Sequence, residues 1–428
     1  MHSSKQTSML WLWWRRQSFY LRRISVTKTI FLLLCAIFLL RKLPNPFSSQ
    51  YSRISINQDV QWDSISEILT MKKNMLLHDS LPRQVKVTKK GTEEPQSSSS
   101  SILILLYTSI FLQKRYCHVK SESIFGQSCP SKDRCQWTCD NRRLREADAI
   151  IFHAYDIQFY NAPVPNRSET KKGSVWILWS DEPPSMVDYG LLKPYKFNWT
   201  ISYKSNSEVS IGSYGLFSKR DTRWSDVEYN QWIHEQFGYR PEGALWFVSN
   251  CNSKKRLEYY NSLTRQKLIS VEGYGRCVDY YPMHFCGAGT ECERDYMSKF
   301  KFYLSFESTT CRDYITEKFF KAFYHGLIPV VVGPDRIDYN RLAPNGSFIH
   351  VNDFGKDMTR LAEYLQDVSL NLKLFSKYHQ WRQQYEIIID GRALERVRMC
   401  ELCERLRTRR RDDMIYYENI EQFYYEKC

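Results

Sequence analysis

The chain has 428 residues, of which 43% are hydrophobic and 15% aromatic, which excludes disorder throughout and allows two or three domains. Its formal net charge is +14, but eight of the basic residues precede residue 43, ahead of the first acidic residue at Asp59. No basic cluster marks one element of the remaining chain, so we predict no nucleic-acid partner. The milder excess suits an anionic small ligand or a solvated surface equally well.

An apolar segment near the N-terminus predicts a membrane anchor. Residues 30–40 are short for the roughly 20 apolar residues that a bilayer needs, and extension to 24–41 includes Lys28, which can snorkel. Six basic residues precede residue 30 and two directly follow residue 40, which orients the N-terminus to the cytosol. A cleaved signal peptide is the alternative, but no small-x-small cleavage site follows Leu40. We therefore predict a single-pass type II protein with a cytoplasmic tail at 1–23, a transmembrane helix at 24–41 and a lumenal body.

The next segment, 42–100, is predicted to be a stem because it ends in a polar, serine-rich stretch without a periodic core pattern. The cysteines fit a lumenal body, since Cys35 lies in the anchor and an even number of the 13 remains. The spacing of the cysteines allows a zinc site, but an oxidising lumen favours disulfides. The cysteines concerned are Cys129, Cys135, Cys139, Cys400 and Cys403. The predicted N-glycosylation sites are Asn166, Asn198 and Asn345.

Beyond the stem, short apolar runs alternate with helical segments, which predicts parallel, doubly wound sheets. A helix from about Tyr314 to Gly326 leads into the apolar run "IPVVVG" and completes a βαβ unit. We therefore predict an α/β fold with two Rossmann-like domains at 101–235 and 236–428, the second ending in helices. The predicted strands include one starting at Ser101, Ala149–His153, Val175–Ser180, 245–248 and 301–307.

Three loops follow the carboxyl ends of these strands, where doubly wound sheets bind their ligands. The first loop holds Asp181 and Glu182. An acid just past a buried strand is well placed as a general base, although both also suit a simple turn before Pro183. The second loop, "SNCNSKKR", offers polar side chains for hydrogen bonds, and Arg256 can pair with a phosphate. The alternative for that segment is a loop followed by a solvated helix face.

The third loop, 308–313, leads into a helix start whose free N–H groups suit an anion such as phosphate. Lys318 adds a positive charge and Tyr314 a hydroxyl. Glu317 can accept hydrogen bonds from paired sugar hydroxyls, or it merely favours the helix dipole. No glycine-rich fingerprint is present, which argues against a dinucleotide site or a P-loop.

The same residues carry a resemblance to a known family. "KFYLSFESTTCRDYITEKFFKAFYHGLIPVVVGP" (301–334) resembles the signature of the α1,3-fucosyltransferases of family GT10, Golgi enzymes that use GDP-fucose. "WILWSDEPPS", "FNWTISYKSNSEVSIGSYG", "FVSNCNSKKRLEYYNSL" and "CELC" resemble further family segments in the same order, over about 101–410. The resemblance implies a GT-B fold, in which two Rossmann-like domains face a cleft. It also implies inverting transfer of L-fucose to a hydroxyl, commonly O3 of N-acetylglucosamine, with no cofactor or metal required.

The resemblance also implies roles for individual residues. Glu182 falls on the general base, Arg256 and Lys318 on residues that bind the GDP diphosphate, and Tyr314 on a donor-site tyrosine. Glu317 falls on the carboxylate that holds the ribose hydroxyls. Further donor-pocket positions are Tyr214, Ser249, Asn250, Asn252, Tyr303 and Ser308, the last standing where the family commonly has Asn.

Two other functions stay open on the sequence. One is fucosylation of protein Ser or Thr, and the other is a non-catalytic lumenal protein that binds glycans or a nucleotide sugar. Ser308 favours the latter, whereas retention of the implied base and the implied phosphate and ribose residues argues against it. The predicted partners are GDP-fucose, a glycan or glycoprotein acceptor, and the Golgi membrane.

Overall fold

The structure is a computed structural model that describes residues 101–241, 243–278, 286, 289–409 and 416–428. The predicted cytoplasmic tail, transmembrane helix and stem lie outside these residues. Among the helices that are described, none combines the length and the apolar character needed to cross a bilayer.

A five-stranded parallel sheet forms the first half, in the order β2-β1-β3-β4-β5. Its strands are β1 Ile102–Leu106, β2 Cys135–Thr138, β3 Ala149–His153, β4 Val175–Ser180 and β5 Trp199–Ser202. The three central strands are buried along their whole length, because helices and loops cover both faces of a parallel sheet. The predicted strands β3 and β4 are confirmed at both ends.

A second parallel sheet repeats this winding in the order β11-β10-β9-β7-β8. Its strands are β7 Ala244–Phe247, β8 Val271–Tyr274, β9 Phe302–Phe306, β10 Ile328–Val332 and β11 Ile349–His350. In each sheet the first strand lies between the second and the third, so the direction of winding reverses beside it. The prediction of an α/β fold with parallel sheets is confirmed.

Eleven α-helices and a small antiparallel ribbon complete the described residues. The first six helices are α1 Ser121–Phe125, α2 Ala154–Phe159, α3 Asp226–Tyr239, α4 Lys254–Gln266, α5 Glu291–Lys299 and α6 Glu317–Tyr324. The others are α7 Arg336–Leu342, α8 Met358–Leu370, α9 Leu372–Lys377, α10 Gly391–Thr408 and α11 Ile420–Tyr425. The ribbon pairs β6 Leu216–Lys219 with β12 Tyr385–Ile388.

Helix α10 packs against the first sheet although it follows the second sheet in the chain. Its residues Met399 and Leu402 share a hydrophobic core with β1, β3 and β4. Two disulfides, Cys129–Cys400 and Cys135–Cys403, fix it there. This helix falls in the range 236–428 that the sequence prediction gives to the second domain, yet its side chains complete the core of the first sheet.

The predicted disulfide cysteines are all paired. Cys139 pairs with Cys117, and the other four join helix α10 to the first sheet, so the disulfide prediction is confirmed and the zinc alternative is wrong. Further disulfides are Cys251–Cys277, Cys286–Cys292 and Cys311–Cys428.

Residues 416–428, here named the C-terminal strap, run from the first sheet to the loop after β9. The backbone of Tyr417 donates to the carbonyl of Phe197 at 2.8 Å. Tyr424 stacks on Tyr189 with ring centroids 3.6 Å apart. At its end, Cys428 is bonded to Cys311 in the loop after β9. The strap therefore ties that loop to the core of the first sheet.

The three sequons differ in accessibility. Asn166 and Asn345 are exposed. Asn198 is buried, and its carboxamide oxygen accepts a hydrogen bond from the backbone of Trp176 at 2.9 Å. A glycan on Asn198 therefore needs a route to solvent that the other two sequons already have, and occupancy stays a prediction for all three.

Candidate active site

The winding of the second sheet reverses between β7 and β9, and Arg256 of helix α4 spans their carboxyl ends. Its guanidinium donates to the carbonyl of Phe306 at 3.3 Å and to the carbonyl of Asn250. The side chain is buried, and burial lowers the pKa of Arg256 while nearby Glu307 and Tyr314 raise it. Because crevices at such reversal points bind ligands in α/β sheets, Arg256 lies where an anionic ligand is expected.

Lys318 lies in the first turn of helix α6, beside the same crevice. Its ammonium nitrogen is 2.6 Å from Thr316 Oγ1, and 3.3 Å from both Glu307 Oε2 and Glu317 Oε1. Burial acts to lower the pKa of Lys318, but the two carboxylates outweigh it and the pKa is raised. The ammonium is therefore held in its charged form at the helix N-terminus, which itself favours anions.

Glu317 opens the same helix, and its side chain is 46% exposed. Burial acts to raise the pKa of its carboxyl, but Lys318 lowers it and the net shift is downward. Glu317 is thus an ionised carboxylate at the surface of the site, able to accept hydrogen bonds from a ligand's hydroxyls.

Tyr314 lies at the centre of the candidate residues. Its ring meets Tyr203 edge-on at 5.2 Å and Tyr214 at 6.4 Å, both of which follow the first sheet. Burial raises the pKa of Tyr314, and Glu307, Glu182 and Glu317 raise it further by their charge. The phenol is therefore neutral at physiological pH, and residues from both sheets surround it.

Glu182 and Asp181 follow β4 in the first sheet, and they have different surroundings. Both carboxylate oxygens of Asp181 accept from the guanidinium of Arg398, at 2.6 and 2.7 Å. Glu182 is half-buried, and burial raises its pKa together with the charges of Asp181 and Glu317, whereas Lys318 lowers it. Asp181 is thus occupied in an ion pair with the buried Arg398, and Glu182 is the acid of the two whose pKa is raised.

The remaining predicted site residues flank this group. The hydroxyl of Tyr214 donates to the carbonyl of Asp181 at 2.5 Å. Tyr303 is buried in β9 within electrostatic reach of Lys318 and Glu317. Asn250 Oδ1 accepts from the backbone of Asn252 at 3.0 Å and closes a turn that the Cys251–Cys277 disulfide anchors. Ser249 lies exposed in that loop and Ser308 is half-buried after β9.

The structure thus brings five predicted residues to one place, with one from the first sheet and four from the second. They are Glu182, Arg256, Tyr314, Glu317 and Lys318. Sequence reasoning gave no role to Glu307, whose buried carboxylate contacts Lys318 and Thr316. The available signal was its position directly after a buried strand, the same signal that identified Glu182.

Comparisons with known proteins identify the family of this chain. A family model described as "Glycosyltransferase family 10 (fucosyltransferase) C-term" matches residues 239–423. A second model, "Fucosyltransferase, N-terminal", matches residues 99–215. The two models together cover both parallel sheets and all five residues of the candidate site.

Curated relatives are similar over most of their length. The chain is 30% identical to alpha-(1,3)-fucosyltransferase 4 of Mus musculus over 311 residues, covering 64% of this chain and 68% of the relative. It is 32% identical to alpha-(1,3)-fucosyltransferase 7 of Bos taurus over 275 residues, covering 64% and 73%. Among solved structures, an alpha1,3-fucosyltransferase with GDP-fucose is 13% identical with a TM-score of 0.40, covering 68% of this chain and 84% of that one. The chain belongs to the fucosyltransferases of glycosyltransferase family 10.

Proposed function

We propose that this fucosyltransferase moves L-fucose from GDP-fucose to a glycan hydroxyl on glycoproteins, with O3 of N-acetylglucosamine as the expected acceptor atom. One observation carries the proposal. A half-buried acid with a raised pKa, Glu182, comes from the first sheet and lies within electrostatic reach of Lys318 and Glu317 from the second. A base and an anion-binding cluster are the two parts that transfer from a nucleoside diphosphate sugar requires.

The diphosphate and the ribose of the donor each have matching groups in the site. The diphosphate is bound by Arg256, by Lys318 and by the N-terminus of helix α6, which together offer positive charge and free N–H groups. Glu317 accepts hydrogen bonds from the ribose hydroxyls, because its carboxylate is exposed and ionised. Tyr314 supplies a neutral phenol between the two sheets. The donor pocket is completed by Tyr214, Ser249, Asn250, Asn252, Tyr303 and Ser308.

The reaction follows from these positions. Glu182 removes the proton from the acceptor hydroxyl as that oxygen attacks C1 of fucose from the face opposite GDP. The bond from C1 to the phosphate oxygen breaks, GDP leaves with the electron pair, and the configuration at C1 is inverted. Arg256, Lys318 and the helix N-terminus stabilise the charge that develops on the diphosphate, so the proposed transfer needs no further cofactor. Removal of one such group typically costs about 100–1000-fold in rate.

The wider setting is part of the proposal. We propose a GT-B arrangement in which the two Rossmann-like domains face a cleft that holds both substrates. We also propose that the protein is a single-pass type II protein of the Golgi membrane, anchored by residues 24–41 with its catalytic part in the lumen. The disulfides of the described residues support this location, because stable disulfides form in oxidising compartments.

The Glu182→Gln variant tests the base assignment. We expect GDP binding to be retained, because Glu182 contacts the acceptor and not the nucleotide, and transfer to fall by about 100-fold to 10,000-fold. Calorimetric titration with GDP and transfer of radiolabelled fucose measure the two effects. Full transfer activity in the variant would refute the assignment of Glu182.

A panel of acceptors tests the substrate class. Glycopeptides that carry terminal or core N-acetylglucosamine are compared with folded protein domains that offer only Ser or Thr. We expect transfer to the glycopeptides alone. Transfer to the folded domains would instead establish protein O-fucosylation, and labelled GDP-fucose bound without transfer to any acceptor would favour the non-catalytic binding protein.

A further inference from the structure

Glu307 is a fully buried carboxylate at the carboxyl end of β9, and its side chain has 0% exposure. Its backbone continues the ladder to β10 by donating to the carbonyl of Val332 at 2.7 Å. An ionised carboxylate in such a place is costly unless hydrogen bonds and an opposite charge compensate it. The contacts of Glu307 therefore show what keeps it there.

The side-chain hydrogen bonds of Glu307 lead to the start of helix α6. Oε1 accepts from the backbone of Thr316 at 2.7 Å and from its hydroxyl at 2.9 Å. Oε2 lies 2.9 Å from the same hydroxyl and 3.3 Å from the ammonium of Lys318. Glu307 thus holds both the residue that precedes the helix and the lysine in its first turn.

The three acceptors around Lys318 differ in whether a ligand can reach and replace them. Thr316 and Glu307 are buried, so the two hydrogen bonds that they accept hold the ammonium from the protein side. Glu317 is exposed and accepts at the open side of the site. A ligand can therefore replace Glu317 as a partner of Lys318 while Glu307 and Thr316 keep the ammonium in place.

We propose that Glu307 is a positioning residue for donor binding: it fixes Lys318 against the diphosphate through a carboxylate that never leaves the protein interior. This inference rests on the proposed function, since it assigns Lys318 to the diphosphate of GDP-fucose. Glu307 does not contact the donor itself: it acts through Lys318 and Thr316, and its charge also reaches Arg256.

The Glu307→Gln variant tests the proposal. The amide has nearly the same shape, but it lacks the charge and presents N–H groups where Lys318 and Thr316 need an acceptor. A hydrogen bond to a charged group is worth enough for us to expect a rise of about 10-fold to 100-fold in the KM for GDP-fucose and the Kd for GDP. We expect kcat at saturating donor to fall as well, because Lys318 also stabilises the charge that develops on the diphosphate.

The chain offers a matched control in helix α5, at a residue that also contacts helix α6. Glu293 is another buried acid, and it accepts from Lys321 of helix α6 at 2.9 Å and from the backbone of Gly289 at 2.6 Å. Glu293→Gln should lower thermal stability as Glu307→Gln does, and leave the KM for GDP-fucose unchanged. An equal rise in KM in both variants would show a general structural effect and overturn the proposal.

A double-mutant cycle shows whether Glu307 acts through Lys318. In a Lys318→Ala background, Glu307→Gln should raise the Kd for GDP much less than it does in the wild type. An additional rise of the same size would mean that Glu307 acts on the donor independently, against the proposal. If Glu307→Gln fails to fold, Thr316→Val removes the hydroxyl that joins Glu307 to Lys318, and the same rise in Kd is expected.

The wild-type protein separates the two levels of inference. Failure of wild type to bind GDP at all would overturn the proposed function. Binding of GDP by wild type with the same Kd in Glu307→Gln would overturn only the role of Glu307.

Discussion

Asp181 and Glu182 are adjacent acids whose partners give them different roles. Asp181 turns inward, where Arg398 and the indole of Trp179 saturate its carboxylate. Glu182 is left beside Lys318 and Glu317 with a raised pKa. The sequence offers two candidate bases at this turn. The ion pair of Asp181 with Arg398, more than 200 positions away, distinguishes the two acids.

The raised pKa of Glu182 predicts the acidic limb of the pH–rate profile. A base works only when deprotonated, so kcat should fall as pH drops through the pKa of Glu182, above the range of an ordinary glutamate. Lys318 lowers this pKa and Glu317 raises it, so at saturating donor Lys318→Ala should move the limb to higher pH and Glu317→Gln to lower pH. Profiles of kcat for the three proteins measure the shifts, and limbs that coincide would contradict the assignment.

At the scale of elements, helix α10 follows the second sheet in the chain but supports the Asp181–Glu182 turn after β4 of the first sheet. It supplies Arg398 to Asp181, and its disulfides attach it to β2 and to the segment before β2. The guanidinium of Arg398 also donates to Ser213 at 2.8 Å. Arg398 therefore fixes the turn that carries Glu182, although the sequence prediction placed helix α10 in the other domain.

Arg398→Met should therefore destabilise the protein strongly. The side chain of Arg398 is 4% exposed, and its removal leaves Asp181 without its countercharge, at a cost of about 3 kcal/mol in the free energy of unfolding. Arg407→Met on the same helix is the control, because Arg407 is 49% exposed in its pair with Glu404 and should cost less than about 1 kcal/mol. Urea denaturation compares the two, and equal losses would disprove the special role of Arg398.

The start of helix α6 shows why the sequence placed some boundaries only roughly. The predicted start near Tyr314 lies before the observed start at Glu317. Asp313 has a left-handed backbone with φ of 65° and accepts from Ser205 of the first half, at 3.0 Å from the backbone and 2.8 Å from the hydroxyl. Contacts between distant segments therefore move the start of the helix towards its C-terminus. A local sequence pattern does not reveal such contacts.

The bounds of strands β3 and β4 could be predicted from the sequence for a physical reason. Strands β3 and β4 are fully buried, so their apolar runs are continuous and their ends are sharp. Disulfide partners were not within reach, because an even number of cysteines fixes no connectivity. The role of Glu307 was missed because its partners become neighbours only when helix α6 forms beside β9.

At the scale of the whole molecule, the C-terminal strap connects the first sheet to the loop after β9 of the second sheet. Helix α11 lies against the first sheet through Tyr424 and Ile420. The backbone of Arg312 donates to the carbonyl of Lys427 at 3.1 Å, beside the Cys311–Cys428 disulfide. Because Cys311 lies between Glu307 and Tyr314 in the chain, the strap restrains the loop that joins these two residues.

Loss of this disulfide should weaken donor binding more than catalysis. In the double variant Cys311→Ser with Cys428→Ser, the loop after β9 gains freedom that GDP-fucose must remove on binding, so the KM for GDP-fucose should rise by about 10-fold while kcat changes little. The matched control is Cys117→Ser with Cys139→Ser, which removes a disulfide of the first half. A KM that rises equally in both double variants would argue against the restraint.

The disulfides of helix α10 also imply a delay between the synthesis of the first sheet and its covalent completion. Cys129 and Cys400 are 271 positions apart, and at about 5–20 residues per second a ribosome needs tens of seconds to pass from one to the other. During that interval the first sheet has left the ribosome without the helix that covers its hydrophobic face, and two of its cysteines have no native partner. The nascent chain is therefore expected to depend on chaperones and on a thiol-disulfide isomerase until residues 391–408 arrive.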